Sequence, residues 1–248
     1  MRALRLHGDR DLRIEDVPPP PPPGPGEVQI RSRAVSLNHI DVWGWRGMAF
    51  AQRRLPLTVG AEAAGEVVAV GEGVTGWAPG DRAVPYGART CGTCAACREG
   101  RDNLCENVRG VAGFHVDGFA CEAANVPARL LVRVPDGVSY EDAACTTVTF
   151  GTVEHMLFDN AKLQPGETIL VQAAGSGIGS AAIRLAKSIG CTVVATAARI
   201  EYSLADGIAK LIGDARVDRA GDKLTASTIT YEVESGKMQA AGAEGQRV

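Results

Sequence analysis

The sequence predicts an α/β protein: an N-terminal, mostly β domain, then an incomplete dinucleotide-binding unit, then a short β-repeat tail. Three observations carry this. Short β-type runs punctuated by Gly and Pro fill the first half of the chain. One strand-turn-helix-strand unit spans Thr168 to Thr196. The remaining C-terminal stretch repeats itself with the alternating period of strands.

Composition sets the outer limits. At 248 residues the chain can hold one large or two modest domains with real cores. Hydrophobic residues at 45%, charged residues at 22% and a net charge of -3 describe an ordinary globular protein. This weak acidity gives no electrostatic reason to expect nucleic acid or membrane as a partner. No apolar run approaches the ~20 residues that cross a bilayer. The opening MRALRLHGDRDLRIEDV lacks the apolar core of a signal peptide. Cysteine usage points to a reducing cytoplasm.

In chain order, the prolines from Pro18 to Pro23, followed by Gly24-Pro25-Gly26, form a stiff connector into a strand. Strand runs then come at Val28 to Val35, Val67 to Val70 and Leu130 to Val134, with Pro79-Gly80-Asp81 marking a turn. Between them, Cys91, Cys94, Cys97 and Cys105 are spaced C-x2-C-x2-C-x7-C, which suits one closed, structural zinc per chain. Arg98 and Arg101 lie where they could offset the surplus negative charge of four thiolates. A disulfide pair, a redox Cys-x-x-Cys or coincidence are the alternatives. Ser139 and Asp142 make a capping box that opens a helix, with Phe150, Val153 and Leu157 continuing at helical spacing. Trp43 and Trp45 are expected to pack in the core, with the wall of an apolar pocket as the alternative.

The strand ILVQAA leads into Ala174, Gly175, Ser176, Gly177, Ile178 and Gly179, then into the helix AAIRLAKSI, closed by Gly190, and the strand TVVATA. Glycines here let backbone amides at the helix start approach a pyrophosphate, which the helix dipole also favours. The spacing departs from G-x-G-x-x-G, because the first two glycine positions hold Ala174 and Ser176.

Four segments in unbroken order resemble the medium-chain dehydrogenase/reductase superfamily, in particular its alcohol dehydrogenase-like and quinone reductase-like members. They are PGPGEVQIRSRAVSLNHIDVWGWRG, VGAEAAGEVVAVGEGVTGWAPGDRAV, the cysteine lobe and LQPGETILVQAAGSGIGSAAIRLAKSIGCTVVATA. The resemblance covers residues 1–198. It implies a GroES-like β domain over 1–138, a partial Rossmann unit over 139–198, and hydride transfer with a nicotinamide cofactor. Zinc-dependent members carry a second, catalytic zinc. Its ligand positions fall here on Asn38, on Ala61 and near Val148, with Cys145 close to the third. An amide is a poor zinc ligand and an alanine is none, so the resemblance implies zinc-free reduction of an activated carbonyl, quinone or conjugated enoyl substrate. In such chemistry the protein orients the reactants and stabilises an oxyanion. Candidate catalytic residues are Asn38, His39 and Asp41. His39 offers an imidazole, a group that titrates near neutrality, and equally fits a loop histidine; Asn38 and Asp41 fit either substrate orientation or a turn cap.

A dinucleotide fold needs two mononucleotide halves, and the residues after Ala198 do not read as the second. Instead Ile200, Tyr202, Gly207 and Gly213 recur as Ile229, Tyr231, Gly236 and Gly242, and KLTASTITYEV alternates as a strand. This tail, 199–248, is similar to the repeats of OstA-like periplasmic lipopolysaccharide-transport proteins. It is expected either to fold as a small antiparallel β unit against the exposed edge of TVVATA or to stay mobile, and the edge invites self-association, a homo-oligomer, or protease sensitivity near residues 198–210. Arg199, with no acidic residue at the end of TVVATA, favours NADPH over NADH, although Arg199 belongs as easily to the tail. The resulting expectation is an oxidoreductase acting on a small-molecule substrate, with weak NADPH binding and little or no turnover. The rivals are a zinc-dependent alcohol dehydrogenase and a noncatalytic chimera carrying an OstA-like tail.

Overall fold

A computed structural model describes residues 1–47, 53–196, 208–219, 222–232 and 237–241. The chain divides into two compact units, Met1–Val148 and Thr149–Val248.

The first unit opens on a hairpin, β1 (Arg2–Gly8) and β2 (Asp11–Asp16). Then come β3 (Glu27–Ser36), helix α1 (His39–Trp45), β4 (Leu57–Thr58), β5 (Glu62–Val70) and β6 (Arg82–Pro85). The cysteine lobe contributes the single turn α2 (Ala95–Arg98), after which β7 (Ala123–Pro127), β8 (Leu131–Arg133) and α3 (Tyr140–Ala143) complete the unit. The strands form a three-stranded sheet, β2-β1-β4, and a five-stranded one, β7-β3-β5-β6-β8. Period-two alternation explains the core: Val28 and Ile30 of β3 are fully buried, packed with Ala63, Val67, Phe119 and Val126, while Gln29 and Arg31 of the same strand point the other way. The proline run is fixed by its carbonyls, since Pro21 O accepts from both Gln29 Nε2 (3.2 Å) and Asn125 Nδ2 (3.0 Å).

Two expectations about this unit need correction. The unit runs past 138 to Val148, because Ala143 and Ala144 of the capped turn pack on Ala64, Val84 and Val134 and so join the β core. Trp43 is 40% exposed rather than a core residue, and Trp45 lies under the Arg10 guanidinium at 6.0 Å.

A widened π-type turn (Thr146–Phe150) spans the boundary at Val148, and α4 (Gly151–Glu154) and a second such turn (His155–Asn160) follow it in the second unit. Val153 carries the helical pattern into the core, where it meets Leu163, Val171, Ala181 and Ala186. β9 (Thr168–Gln172), α5 (Gly177–Ser188) and β10 (Thr192–Thr196) form the strand-helix-strand unit, with β9 and β10 parallel. Among the described residues β10 then pairs in parallel with β11 (Ile208–Arg219) through Val194 and Ala195. β12 (Asp222–Glu232) and β13 (Lys237–Ala241) continue antiparallel, giving the order β13-β12-β11-β10-β9. Of the repeat anchors, Ile200, Tyr202, Gly207, Gly236 and Gly242 lie outside the described residues. Gly213 falls where the β11-β12 register shifts between Ile212 and Ala215. Among the described residues no helix is long and apolar enough to cross a membrane.

Glycine is required most strictly where three loops meet. A Cβ on Gly113 (φ +75°) would lie 2.7 Å from the Gly60 backbone, whereas one on Gly73 (φ +73°) would meet nothing within 4 Å. Both substitutions incur the left-handed penalty, but only one also forces backbone apart. Gly73→Ala should therefore cost about 1 kcal/mol and Gly113→Ala about 3 kcal/mol or more in urea unfolding.

Candidate functional site

The sulfurs of Cys91, Cys94, Cys97 and Cys105 lie within 4.8 Å of one another. A tetrahedron with bonds of about 2.3 Å has edges of about 3.8 Å, and the Cys91 to Cys97 separation is 3.9 Å. Backbone amides also converge on sulfur: Thr93 N (3.4 Å) and Cys94 N (3.3 Å) donate to Cys91, and Cys91 N (3.2 Å) donates to Cys105. The Thr93 and Cys94 amides pull the Cys91 thiol down to about 5, and hydrogen bonds likewise lower Cys94, while burial pushes Cys97 up. Four thiols gathered this closely compete for protons, and a divalent cation would replace them all. Geometry and donor set both fit zinc, with all four positions taken by protein.

Arg101 turns to Glu99 (3.2 Å) on the surface rather than to the sulfurs. Arg129 comes from outside the lobe. Its Nη1 donates to Thr90 Oγ1 (3.1 Å), its Nη2 donates to Thr90 O, and a Cβ on Gly92 would lie 2.8 Å from its Nε. No local spacing rule could have singled it out.

The residues expected to be catalytic sit at the start of α1. Asp41 is buried, and both of its oxygens are engaged: Oδ2 accepts from Asn38 N (2.8 Å) and Oδ1 from Gly60 N (3.1 Å). Of the two roles open to it, the geometry gives Asp41 the capping one. Burial raises its carboxyl above the ordinary 3.8, against the downward pull of those same amides. Asn38 Nδ2 donates to Glu62 Oε2 (3.0 Å), and Glu62 Oε1 accepts from Val148 N (2.7 Å). Glu62 is fully buried, and sequence reasoning misses its part in the site because its partners are distant in the chain. Thus the three positions at which the resemblance expects catalytic-zinc ligands hold an amide turned to a carboxylate, the side chain of Ala61 and, near the third, the Val148 amide donating to Glu62. Cys145 Sγ, close in sequence to the third position, faces Ser36 Oγ at 3.6 Å.

His39 is exposed, its ring 6.1 Å from that of Trp43. Leu37 (68% exposed) and Trp43 leave an apolar surface on either side of it in sequence. The other histidines of this kind are committed: His115 Nδ1 accepts from Val111 N (3.1 Å), and His155 Nδ1 lies 2.7 Å from Asp159.

In the second unit Ser176 is the N-cap of α5, its Oγ accepting from Gly179 N at 3.0 Å. First-turn amides have no partner within a helix, so those of Gly177 and Ile178 are available at its positive end. The glycines divide by function. A Cβ on Gly179 would lie 2.4 Å from Ala173 O, so helix-strand packing requires that glycine; one on Gly177 would meet only the Thr149 methyl at 3.7 Å. Ala173, just before the turn, holds φ 54°, a conformation that favours glycine. Ala174 is buried behind the turn. Arg199 lies outside the described residues.

The sequence profile of the alcohol dehydrogenase GroES-like domain matches residues 24–136. A profile described as LptA/(LptD N-terminal domain) LPS transport protein matches residues 179–237, beginning inside α5. The acryloyl-coenzyme A reductase of Metallosphaera sedula is 37% identical over 162 residues, 65% of this chain and 48% of its own length. The L-threonine 3-dehydrogenase of Salmonella gallinarum is 34% identical over 208 residues, 82% of this chain and 59% of its own. An NAD-dependent alcohol dehydrogenase structure is 42% identical with a TM-score of 0.74, covering 79% of this chain and 58% of that one. A cobalt- and zinc-bound thermostable alcohol dehydrogenase from Pyrobaculum aerophilum is 32% identical with a TM-score of 0.72, over 79% and 59%. The chain spans about half the length of the curated relatives it matches.

Elemental analysis should find one zinc per chain, and Cys97→Ser should release it and lower the melting temperature, because metal affinity at such sites is folding free energy. A second expectation concerns Asp41. Its raised folded-state pKa means the folded protein holds that proton to higher pH than the unfolded chain, so the group costs stability progressively as pH rises from about 3.8 through the raised value. The unfolding free energy of wild type minus that of Asp41→Asn should fall with rising pH across that window. It should then stay level.

Proposed function

Since this chain belongs to the medium-chain dehydrogenase/reductase superfamily, we propose that it is built for hydride transfer between a nicotinamide cofactor and an activated carbonyl, quinone or conjugated enoyl carbon, without a catalytic metal. The observation that carries this reading is the Asn38-Glu62 hydrogen bond, at 3.0 Å. In a zinc-dependent relative the Asn38 position presents a ligand to metal. Here it presents an amide, spent on a buried carboxylate, beside an alanine that has no donor atom. Reduction at an enoyl carbon conjugated to a thioester needs no Lewis acid if hydrogen bonds stabilise the enolate oxygen. The likeness to an acryloyl-coenzyme A reductase supports that substrate class.

A bound nicotinamide dinucleotide would supply or accept the hydride. Ser176 holds the turn, the amides of Gly177 and Ile178 are free to meet the pyrophosphate, and the room above Gly177 is where a phosphate would approach the backbone. His39 is the candidate to hydrogen-bond the developing oxyanion or return a proton, and Trp43 and Leu37 supply an apolar wall for the substrate. NADPH in preference to NADH rests on the lack of an acidic residue at the end of β10, where one would bind a free ribose diol. Self-association is part of the same proposal, since β9 ends its sheet among the described residues and Leu170 on it is 60% exposed.

Calorimetric titration tests the cofactor assignment. Gly177→Ala should fold with wild-type zinc content and thermal stability yet weaken NADPH binding by about tenfold or more, whereas Gly179→Ala should be destabilised outright. Tighter binding of NADH than NADPH would reverse the cofactor preference, and two zinc ions per chain would return the chain to the metal-dependent class.

A further inference from the structure

A cavity of about 650 Å³ opens beside the zinc lobe, on the first unit, and three arginines line it: Arg89, Arg109 and Arg129. Among the described residues none of these guanidinium groups is within ion-pair distance of a carboxylate, although six other arginines there are. Two carboxylates share the wall, Glu27 and Asp117, and each already accepts from a backbone amide, Glu27 from Gly24 N (3.0 Å) and Asp117 from Thr58 N (2.8 Å). Arg89 is held rigidly, its guanidinium 5.6 Å from the ring of the fully buried Phe119. Arg129 is held by Thr90. The exposed Thr93 lies on the same wall.

Cations are rarely gathered without partners, because like charges repel and the half-buried guanidinium of Arg89 also loses hydration. One compensation is the neighbouring zinc-thiolate centre, and Arg129, against Gly92, is placed for that. Arg89 and Arg109 line the same cavity, and Cys91 of the lobe borders it too. The volume is that of a small-molecule site, and planar guanidinium forks suit bidentate oxyanions. We propose that this cavity binds a small anionic ligand through a phosphate or carboxylate group held by Arg89 and Arg109, at a site separate from the glycine-rich turn.

The test uses the full zinc-loaded chain carrying Gly177→Asp, so that the glycine turn cannot contribute. Inorganic phosphate and malonate are titrated calorimetrically at low ionic strength. One site per chain is expected, with affinity falling as salt rises. Arg109→Gln, at an exposed position, should fold normally and weaken binding by about tenfold or more, and Arg89→Gln should do the same. Phosphate binding more tightly than malonate assigns the ligand's group as phosphate; the reverse assigns carboxylate. The proposal is overturned if neither anion binds below on the order of 10 mM, or if Arg109→Gln leaves affinity unchanged. It is equally overturned if Arg89→Gln loses zinc in step with anion binding, since the arginines would then serve the metal centre. None of these readouts depends on hydride transfer, so failure here leaves the oxidoreductase reading standing.

Discussion

Two buried carboxylates, Asp41 and Glu62, set the requirement around which the first unit is arranged. An ionised carboxylate away from water must be hydrogen-bonded or it will not stay there. Asp41 meets this with the amides of Asn38 and Gly60, and Glu62 with the Asn38 side chain and the Val148 amide. Three segments distant in sequence are thereby fixed to one another. The arrangement tolerates no bulk beneath it, for Cβ atoms on Gly113 and Gly118 would both strike Gly60, at 2.7 and 2.3 Å. Packing at these glycines and hydrogen bonding at the carboxylates are one constraint, and it determines where His39 is presented.

The legible part of the sequence is local. Cysteine spacing announces a cluster of four thiols because all four residues lie within one loop, and the glycine turn is readable because strand, turn and helix are consecutive. Ser139 caps by accepting from the Asp142 amide at 3.0 Å, again three residues away. By contrast, β1 gives no signal of its own. Arg2-Ala3-Leu4-Arg5-Leu6 does not alternate strictly, and its pairing with β2 and β4, Leu6 opposite both Leu12 and Leu57, makes it a strand. The roles of Glu62 and Arg129 are likewise through-space facts. Trp43 departs from the core expected of it because aromatic character alone does not say which side of a short helix faces water.

Near the metal lobe, electrostatics and packing divide the arginines between two tasks. Arg101 remains on the surface with Glu99, where an exposed pair contributes little. Arg129 reaches the lobe by bonding the Thr90 carbonyl and hydroxyl, so the segment leading to Cys91 is anchored from outside the loop.

In the second unit a parallel pair is continued by strands of another pattern, and the two halves of the sheet meet different requirements. A parallel strand buried on both faces reads as an unbroken apolar run, and TVVAT of β10 does. Among the described residues β11 joins it through two residue pairs, then spends ten on its antiparallel partner β12. Antiparallel ladders can expose one face, which suits the alternation of KLTASTITYEV, whereas β9 carries the apolar run ILV yet leaves Leu170 60% exposed. The sheet is thus satisfied in hydrogen bonds on its β10 side and unsatisfied in burial at β9. Apolar surface of that kind is covered in a complete doubly wound sheet by further strands and helices. The glycine turn, capped by Ser176 and open above Gly177, is formed by β9, α5 and β10 and owes nothing to the antiparallel strands that follow.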